Sequence, residues 1–357
     1  MAEEIFSPAI LDKGLNAGLR RVDFDAAGMG MAPLSLHVLV PGEPCPTDLF
    51  LALYDRQTKT VKMQAACAKG EEFRAKWRDN LLKAEQYRVY VRLKDAPSFT
   101  GYYDRLVGQI LKDPRTTTRK KALVLQEIAT LNLRVFFGQE MNSKELETAV
   151  NMAEKTVTWI SRDPQLLGSL SEVLVSGYTL YAHSVNVAMM GMAFGRFLKL
   201  GEGRVHLLGM GGLLHDIGMS KISKDLLQKP GPLTDEETNL VKKHPAQGYQ
   251  TLMTVSTVPY PVLRIVLDHH ERADGSGYPN RLEGIKIPFL VRLASLVDAY
   301  EAMTSERPYR EPMKPFTAAA SLAETNQDSR GKQLVVSFIR FLGSMYATGQ
   351  NQTPPPE

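Results

Sequence analysis

The most constraining stretch of the sequence is His269–Pro279, which reads His-His-Glu-Arg-Ala-Asp-Gly-Ser-Gly-Tyr-Pro. Two adjacent histidines follow an apolar run, and the glycines after them favour a loop over a continuing helix. Neighbouring helix residues point about 100° apart, so both imidazoles can face one ion cluster only at the helix end. Two interpretations stay open. The pair binds metal, as imidazole often does, or it stabilises a helix C-terminus through the helix dipole.

The composition excludes several classes of protein. The 43 Lys and Arg against 39 Asp and Glu give a net charge of +4, which indicates neither a nucleic acid polymer nor a membrane surface as partner. The only cysteines are Cys45 and Cys67, which excludes a disulfide framework and a thiolate metal site and predicts a cytoplasmic location. The N-terminus lacks a secretory signal pattern, and charged residues interrupt the apolar run Val185–Leu200, so no membrane contact is expected.

The N-terminal part of the chain is typical of a small α+β domain. Phe73, Trp77 and Leu81 have helical spacing within Glu71–Ala84, and residues 55–60 have the character of a hairpin connection. We assign residues 1–118 to a regulatory or sensory domain without chemistry of its own. The segments rich in β-branched and alternating apolar residues, which predict strands, are Ser35–Val40, Leu49–Tyr54, Val61–Ala66 and Tyr87–Leu93.

Helical periodicity dominates the rest of the chain. Residues 119–163 are a helical linker, which is either a signalling helix that dimerises the protein or the first packing layer of the next domain. Residues 164–348 form an all-helical domain, and residues 349–357, mostly Gln, Thr and Pro, form a disordered tail. Thr234 and Glu237 form a capping box that starts a helix carrying His244. The other predicted helices are Val173–Leu200, Val205–Ile217, Val262–Glu271 and Leu290–Met303.

Several imidazoles and carboxylates of the helical domain are embedded among apolar neighbours. Burying so many such groups is costly unless they share a partner, and a cation cluster is the simplest one. Imidazole with carboxylate and no thiolate suits Fe, Mn, Zn or Ni, and this many ligands favours two ions over one. The embedded residues are His183, His215, Asp216, His244, His269, His270 and Asp298.

These motifs together resemble a known family. The chain has His183, the pair His215-Asp216, His244, the block His269–Pro279, and Asp298 followed by Arg307-Pro308-Tyr309-Arg310. In this order and spacing they closely resemble the HD-GYP branch of the HD-domain phosphohydrolases, over about Val173–Phe341. The resemblance implies an all-helical bundle with a buried metal centre. It also implies hydrolysis of the second messenger cyclic di-GMP to pGpG, and in some members on to GMP.

The resemblance also implies roles for the embedded residues. Asp216 bridges two divalent ions, Fe or Mn, which generate the attacking hydroxide. His244, His269 and His270 hold the second ion. The first ion is held by His183, His215, Asp216 and Asp298.

The remaining motif residues receive supporting roles. Arg307 and Arg310, with Tyr309 between them, either clamp substrate phosphates or are solvated charges near a turn. Glu271 is expected to accept a hydrogen bond from a ligand imidazole, and Asp274 to bond its own backbone in a turn. The loop residues that shape the site or dock a partner protein are Glu271, Asp274, Gly275, Gly277, Tyr278 and Pro279.

The sequence departs from the family pattern at three positions. Met219 stands where the family usually has the lysine of the HD-x-G-Lys motif, and Lys221 or Lys224 is the candidate to replace that cation. Thr179 stands where some members place a glutamate, which favours a two-metal centre. Glu301 stands where Asp is usual. Two readings follow: an active cyclic di-GMP phosphodiesterase with Asp216 and Lys221 in catalysis, or an inactive module that binds the nucleotide and signals through its loop.

Overall fold

The computed structural model contains two compact units. One comprises residues 1–116 and 123–138, and the other comprises residues 117–122 and 139–357. The bounds of the four segments expected from the sequence stay a prediction, and residues 351–357 of the expected tail lie outside the described residues. The structure describes residues 26, 29–55, 58, 60–84, 86–137, 142–162, 166, 180–227, 229, 231–305 and 311–350.

The first unit is built on an antiparallel sheet of four strands with the order β1-β4-β2-β3. Asp55 and Thr60 are paired across the β2–β3 connection, so the predicted hairpin is confirmed. The strands are β1 (Met31–Ser35), β2 (Leu49–Asp55), β3 (Thr60–Cys67) and β4 (Arg88–Arg92). The helices are α1 (Ala75–Lys83), α2 (Thr100–Lys112) and α3 (Thr118–Phe137), of which residues 123–137 belong to this unit.

Two predicted elements of this unit were misplaced. The expected strand 35–40 is wrong because the Ser35 hydroxyl accepts a hydrogen bond from His37 N and caps a 3-10 helix, Leu36–Val38. The strand instead ends at Ser35. The helix expected from Glu71 begins later, because Phe73 exchanges backbone hydrogen bonds with residues 42 and 43. In the first case a side-chain cap, and in the second backbone pairing, determines the local structure in place of the spacing of apolar residues.

The second unit is helical. The helix that carries His183 packs against the helix that precedes His215, and both contact the helix that carries Asp298. Among the described residues, none of the helices combines the length and apolar character that a membrane span needs. The helices are α4 (Ser143–Arg162), α5 (Leu180–Phe197), α6 (Glu202–Leu214), α7 (Lys224–Leu227), α8 (Asp235–Val241), α9 (His244–Leu252), α10 (Tyr260–Asp268), α11 (Phe289–Thr304), α12 (Pro315–Thr325) and α13 (Ser329–Gln350).

Three helix boundaries near the expected site residues differ from the sequence prediction. The capping box of Thr234 and Glu237 is confirmed, but α8 ends at Val241, and His244 is instead the first residue of α9. Pro245 lies in the first turn of α9, where its missing N–H costs no helical hydrogen bond. The helix expected to reach Glu271 ends at Asp268.

Gly218 permits the closest backbone approach in this unit. It lies in a 3-10 helix, Ile217–Lys221, that packs against α9. A Cβ atom added at Gly218 would lie 2.0 Å from His244 O and 2.6 Å from Gly248 N. These neighbours are backbone atoms, so no side chain can rotate away. The glycine therefore fixes the distance between the segment of Asp216 and the start of α9.

We expect Gly218→Ala to lower the free energy of unfolding by about 1–3 kcal/mol, because overpacking against backbone atoms cannot relax. Gly203→Ala is the matched control, since a Cβ at this exposed helical position meets nothing within 4 Å. The control should leave stability unchanged or raise it by up to about 1 kcal/mol. Urea denaturation of both variants measures the difference, and equal stabilities would contradict the close packing.

Candidate metal centre

Five helices bring the seven embedded side chains together. His183 lies inside α5, His215 and Asp216 follow α6, His244 begins α9, His269 and His270 follow α10, and Asp298 lies inside α11. Six of the seven side chains are buried and His270 is half-buried.

The Asp216 carboxylate lies between two groups of imidazoles. Its Oδ2 atom is 3.3 Å from His215 Nε2 and 3.8 Å from His183 Nε2. Its Oδ1 atom is 3.2 Å from His244 Nε2 and 3.8 Å from His269 Nε2. Each carboxylate oxygen thus faces a different group. This is the geometry of a carboxylate that can bridge two cations.

The first group contains a second carboxylate. Asp298 Oδ1 is 3.1 Å from His183 Nε2 and 4.0 Å from His215 Nε2. One candidate ligand atom from each of these three residues lies within 4.8 Å of the other two. Ligand bonds of about 2 Å place the ligand atoms of one ion at such separations, so the group is compact enough for a single cation.

The second group consists of imidazoles. One ring nitrogen each from His244, His269 and His270 also lies within 4.8 Å of the others. His244 Nε2 and His269 Nε2 are 3.2 Å apart. The outer side of this group is closed by Tyr278, whose ring stacks on that of His270 with 4.8 Å between centroids.

The opposite ring nitrogens determine which atoms face the centre. His215 Nδ1 lies 2.8 Å from Gly212 O, His244 Nδ1 2.8 Å from Val241 O, and His269 Nδ1 2.9 Å from Val266 O. A carbonyl oxygen can only accept, so each Nδ1 donates its proton and each Nε2 presents a lone pair.

The donor set fits a cation. His215 Nε2 is buried and has no hydrogen-bond partner, although an Asp216 oxygen is 3.3 Å away. A buried lone pair without a proton donor is costly, and a metal ion would complete it. Imidazole and carboxylate atoms without a thiolate are the ligands that catalytic transition-metal sites use.

Glu301 is a site residue to which the sequence analysis assigned no role. It is buried, and its Oε2 atom accepts a short hydrogen bond from His183 Nδ1. Its Oε1 atom accepts from Asn186 Nδ2 at 2.8 Å and from Ser305 Oγ at 2.6 Å. Glu301 therefore orients His183 as a carboxylate orients a metal-binding histidine. Its spacing of three residues from Asp298 was the available signal, because both then lie on one side of a helix.

The role expected for Glu271 was wrong. Within the described part of the chain its carboxylate accepts no hydrogen bond from an imidazole; it accepts from Asn280 N at 2.6 Å and from Leu282 N at 2.8 Å. A buried carboxylate satisfied by two backbone N–H groups holds the loop closed. The acidic partner of a histidine in this centre is instead Glu301.

The two groups differ in how readily they hold protons. Burial disfavours a charged imidazole, but Asp298 and Glu301 outweigh it and raise the pKa of His183 to about 10. Burial lowers the pKa of His270 to about 4, and burial together with His270 holds the pKa of His269 well below its usual range. Burial would raise the pKa of Asp216, yet His215 and His244 hold it well below the usual value. Burial would also raise the pKa of Asp298, yet His183 and His215 hold it well below the usual value. Both carboxylates of the centre are therefore charged at neutral pH, as ligands must be.

The loop after His270 has the turn that the sequence predicts. Asp274 Oδ1 accepts from Ser276 N at 2.9 Å, which confirms the expected turn, and the Tyr278-Pro279 peptide bond is cis. A Cβ at Gly277 would lie 2.5 Å from Glu271 Cα and 2.6 Å from His270 O. Only glycine lets the loop fold back this closely on the residues that follow α10.

The remaining candidates lie apart from the cluster or outside the described residues. Lys221 is exposed and Met219 half-buried in the 3-10 helix after Asp216, and within the described part of the chain Lys221 forms no ion pair with the cluster. His206 is half-buried on α6 and belongs to none of the candidate metal-binding groups found among the described residues. Residues outside the described ranges are Thr179, Arg307, Tyr309 and Arg310.

Comparison with known proteins agrees with this geometry. The HD domain family model matches residues 137–331, more than half of the 357 residues. The chain is 36% identical over 201 residues to "Cyclic di-GMP phosphodiesterase PA4108" of Pseudomonas aeruginosa, covering 56% of this chain and 48% of that protein. It is 36% identical over 152 residues to "3'3'-cGAMP-specific phosphodiesterase 3" of Vibrio cholerae, covering 42% of this chain and 32% of that protein.

The chain therefore spans about half the length, or less, of these curated relatives. Among solved structures, a HDG"Y"P protein from Bdellovibrio bacteriovorus, Bd1817, has the same fold, with a TM-score of 0.61 and 20% identity. The match covers 87% of this chain and 99% of that one. Family model, relatives and fold agree with the motifs His215-Asp216 and Gly277-Tyr278-Pro279. The chain belongs to the HD domain family, in its HD-GYP branch.

Proposed function

We propose that this protein is a metal-dependent phosphodiesterase that hydrolyses cyclic di-GMP. The observation that carries the proposal is the Asp216 carboxylate, whose two oxygens face separate groups of imidazoles at 3.2–3.8 Å. The names of relatives such as "Cyclic di-GMP phosphodiesterase PA4108" support the substrate. The products, pGpG or GMP, and the cytoplasmic location stay predictions.

Seven residues are proposed as ligands of two divalent ions, Fe or Mn. When bound, two such ions supply positive charge that activates water and neutralises phosphate oxygens. Asp216 holds the two groups at a fixed distance, and Glu301 fixes the ring of His183. The proposed ligands are His183, His215, Asp216 and Asp298 for one ion and His244, His269 and His270 for the other.

The substrate contacts are proposed from the sequence. Arg307 and Arg310 would hold phosphate oxygens in bidentate fashion, with Tyr309 beside them. Lys221, exposed in the 3-10 helix after Asp216, would supply the cation that Met219 lacks. Docking of a partner protein through the Gly-Tyr-Pro loop and dimerisation through residues 119–163 also stay predictions.

A second candidate function rests on Met219. A thioether replaces the cation that the family pattern puts three residues after Asp216, so the nucleotide would be bound without turnover.

A third candidate function rests on relatives named "3'3'-cGAMP-specific phosphodiesterase", which favour a related cyclic dinucleotide as substrate. Assaying both nucleotides for binding and for hydrolysis on one preparation separates the three functions.

We expect the Mn²⁺-loaded protein to hydrolyse cyclic di-GMP, and His215→Gln to lower kcat/KM by at least about a hundredfold, because a ligand to the activating ion is lost. His206→Gln is the matched control, because His206 precedes it on α6 and lies outside the cluster. Chromatography of the nucleotide products measures the rate of hydrolysis by the wild type and by both variants. The proposal fails if the loaded wild type forms no product, or if both variants are equally active.

Met219→Lys is expected to raise kcat by about tenfold or more, because it restores a positive charge beside the phosphate in the transition state. Met219→Gln, a polar substitution of similar length without charge, is the control and should leave kcat close to the wild-type value. Steady-state kinetics on the three proteins supplies the comparison. A wild-type rate in the Lys variant would show that the missing cation does not limit turnover.

Metal binding by the group of His183, His215 and Asp298 is expected to release at least about one proton per ion at about pH 7.5. Asp298 and Glu301 raise the pKa of His183 to about 10, Asp216 outweighs burial and raises the pKa of His215, and the ion must displace the protons that these rings hold. Affinity at this group should therefore fall as the pH falls. The group of His269 and His270 should release few protons when it binds an ion, because the pKa values of both rings are lowered.

Isothermal calorimetry in buffers of different ionisation enthalpy counts the released protons. In Glu301→Gln, the loss of one carboxylate lowers the pKa of His183, so fewer protons should be released at the same pH. Unchanged release in this variant would contradict the assigned role of Glu301.

A further inference from the structure

An exposed lysine borders the open edge of the candidate metal centre. Six of the seven candidate ligands are buried and His270 is half-buried, so among the described residues the centre is most open to solvent at His270. Lys242 is exposed and lies in the short connection between α8 and α9. A substrate that reaches the centre past His270 therefore passes this connection.

Two connections place Lys242 beside His270. Along the chain, Lys242 precedes the candidate ligand His244 by two residues, and the centroids of the His244 and His270 rings are 5.1 Å apart. Through space, Lys242 Nζ lies over the ring of Tyr278, 5.6 Å from its centroid, and the same ring stacks on His270 at 4.8 Å. Both connections lead to His270, so the Lys242 ammonium lies at the rim of the centre.

The Tyr278 ring orients the ammonium without neutralising it. A cation over a phenol ring is attracted by the negative face of the ring, and this attraction favours one position of a flexible side chain. In the described part of the chain, Lys242 forms no ion pair with a carboxylate. Glu237, an acidic residue of α8, is instead paired with Lys229 Nζ at 2.6 Å. The positive charge of Lys242 can therefore bind an anion from solution.

The position of Lys242 suits a second phosphate of the substrate. A cyclic dinucleotide carries two phosphates in one ring, and one of them is cleaved at the centre at a time. The rings of His270 and Tyr278 lie between the ammonium and the ligand atoms of the centre, so the reacting phosphate is beyond its contact. The other phosphate would lie toward the exposed edge, within reach of the long lysine side chain.

We propose that Lys242 binds the phosphate of the cyclic dinucleotide that is not being cleaved. The inference rests on the proposed function and adds a substrate contact to the same site. It holds for cyclic di-GMP and for the related cyclic dinucleotide, because both carry two phosphates. A contact of this kind is equally strong in the ground state and in the transition state, so it lowers KM and has little effect on kcat.

Lys242→Met removes the charge and keeps a side chain of similar length. In the metal-loaded protein it should raise KM for cyclic di-GMP about threefold to tenfold, because one charged contact to an exposed phosphate is lost. Lys243→Met, at the neighbouring exposed position, is the matched control and should keep the wild-type KM. Lys242→Arg retains the positive charge and should keep most of the affinity. Initial rates give KM, and calorimetry gives Kd if the protein binds the nucleotide without turnover.

A substrate with a single phosphate shows which phosphate Lys242 contacts. Bis(p-nitrophenyl) phosphate is a phosphodiester without a second phosphate. The ratio of kcat/KM for cyclic di-GMP to kcat/KM for this compound should therefore fall about threefold to tenfold in Lys242→Met, and should stay at the wild-type value in Lys243→Met.

Three results would overturn the inference while the proposed function stands. In the first, Lys242→Met and Lys243→Met have the same KM or Kd for cyclic di-GMP. In the second, Lys242→Met lowers kcat/KM for both substrates equally, which indicates a structural role or contact with the reacting phosphate. In the third, Lys242→Arg loses as much affinity as Lys242→Met. A wild-type protein that neither binds nor hydrolyses a cyclic dinucleotide would instead refute the proposed function, and this inference with it.

Discussion

The structure of the helical unit depends on one buried carboxylate, that of Asp216. It stays ionised because His215 and His244 offset the cost of burial, and its two oxygens connect imidazoles from four helices. Burial, together with the neighbouring imidazoles, lowers the pKa values of His269 and His270, so their rings are neutral at pH 7. Neutral imidazoles beside charged carboxylates are a donor set that could hold divalent ions.

Helix ends explain how residues so far apart in sequence can meet in this way. His215, His244 and His269 each donate Nδ1–H to a backbone carbonyl of an adjoining helical turn, so the carbonyls that a terminus leaves unpaired orient the rings. The close approaches at Gly218 and Gly277 set the distances between these termini. The same residues therefore determine both the fold and the site. A Cβ atom at Gly218 would displace His244, and one at Gly277 would displace His270.

Much of the helical unit was predictable because its signals are local or cumulative. The capping box is a local signal, because it is contained in the four residues from Thr234 to Glu237. The embedded imidazoles are a cumulative signal, because so many of them require a common partner wherever they lie in the sequence. The start of α9 was missed because helical periodicity continues past Val241, whereas a new helix begins at His244 with Pro245 in its first turn. The hydrogen-bond partners of Glu271 and Glu301 could not be predicted from the sequence. The partners of Glu271 depend on how the following loop folds back. The partner of Glu301, His183, lies on another helix more than a hundred residues earlier in the chain.

The central claim, that Asp216 joins two cations, is tested most directly by electron paramagnetic resonance of the protein loaded with two equivalents of Mn²⁺. A carboxylate shared between two ions brings them close enough for their spins to couple. The account predicts the broadened spectrum of a coupled pair, and loss of the coupling in Asp216→Asn. The spectrum of two magnetically isolated ions in the wild-type protein would contradict it.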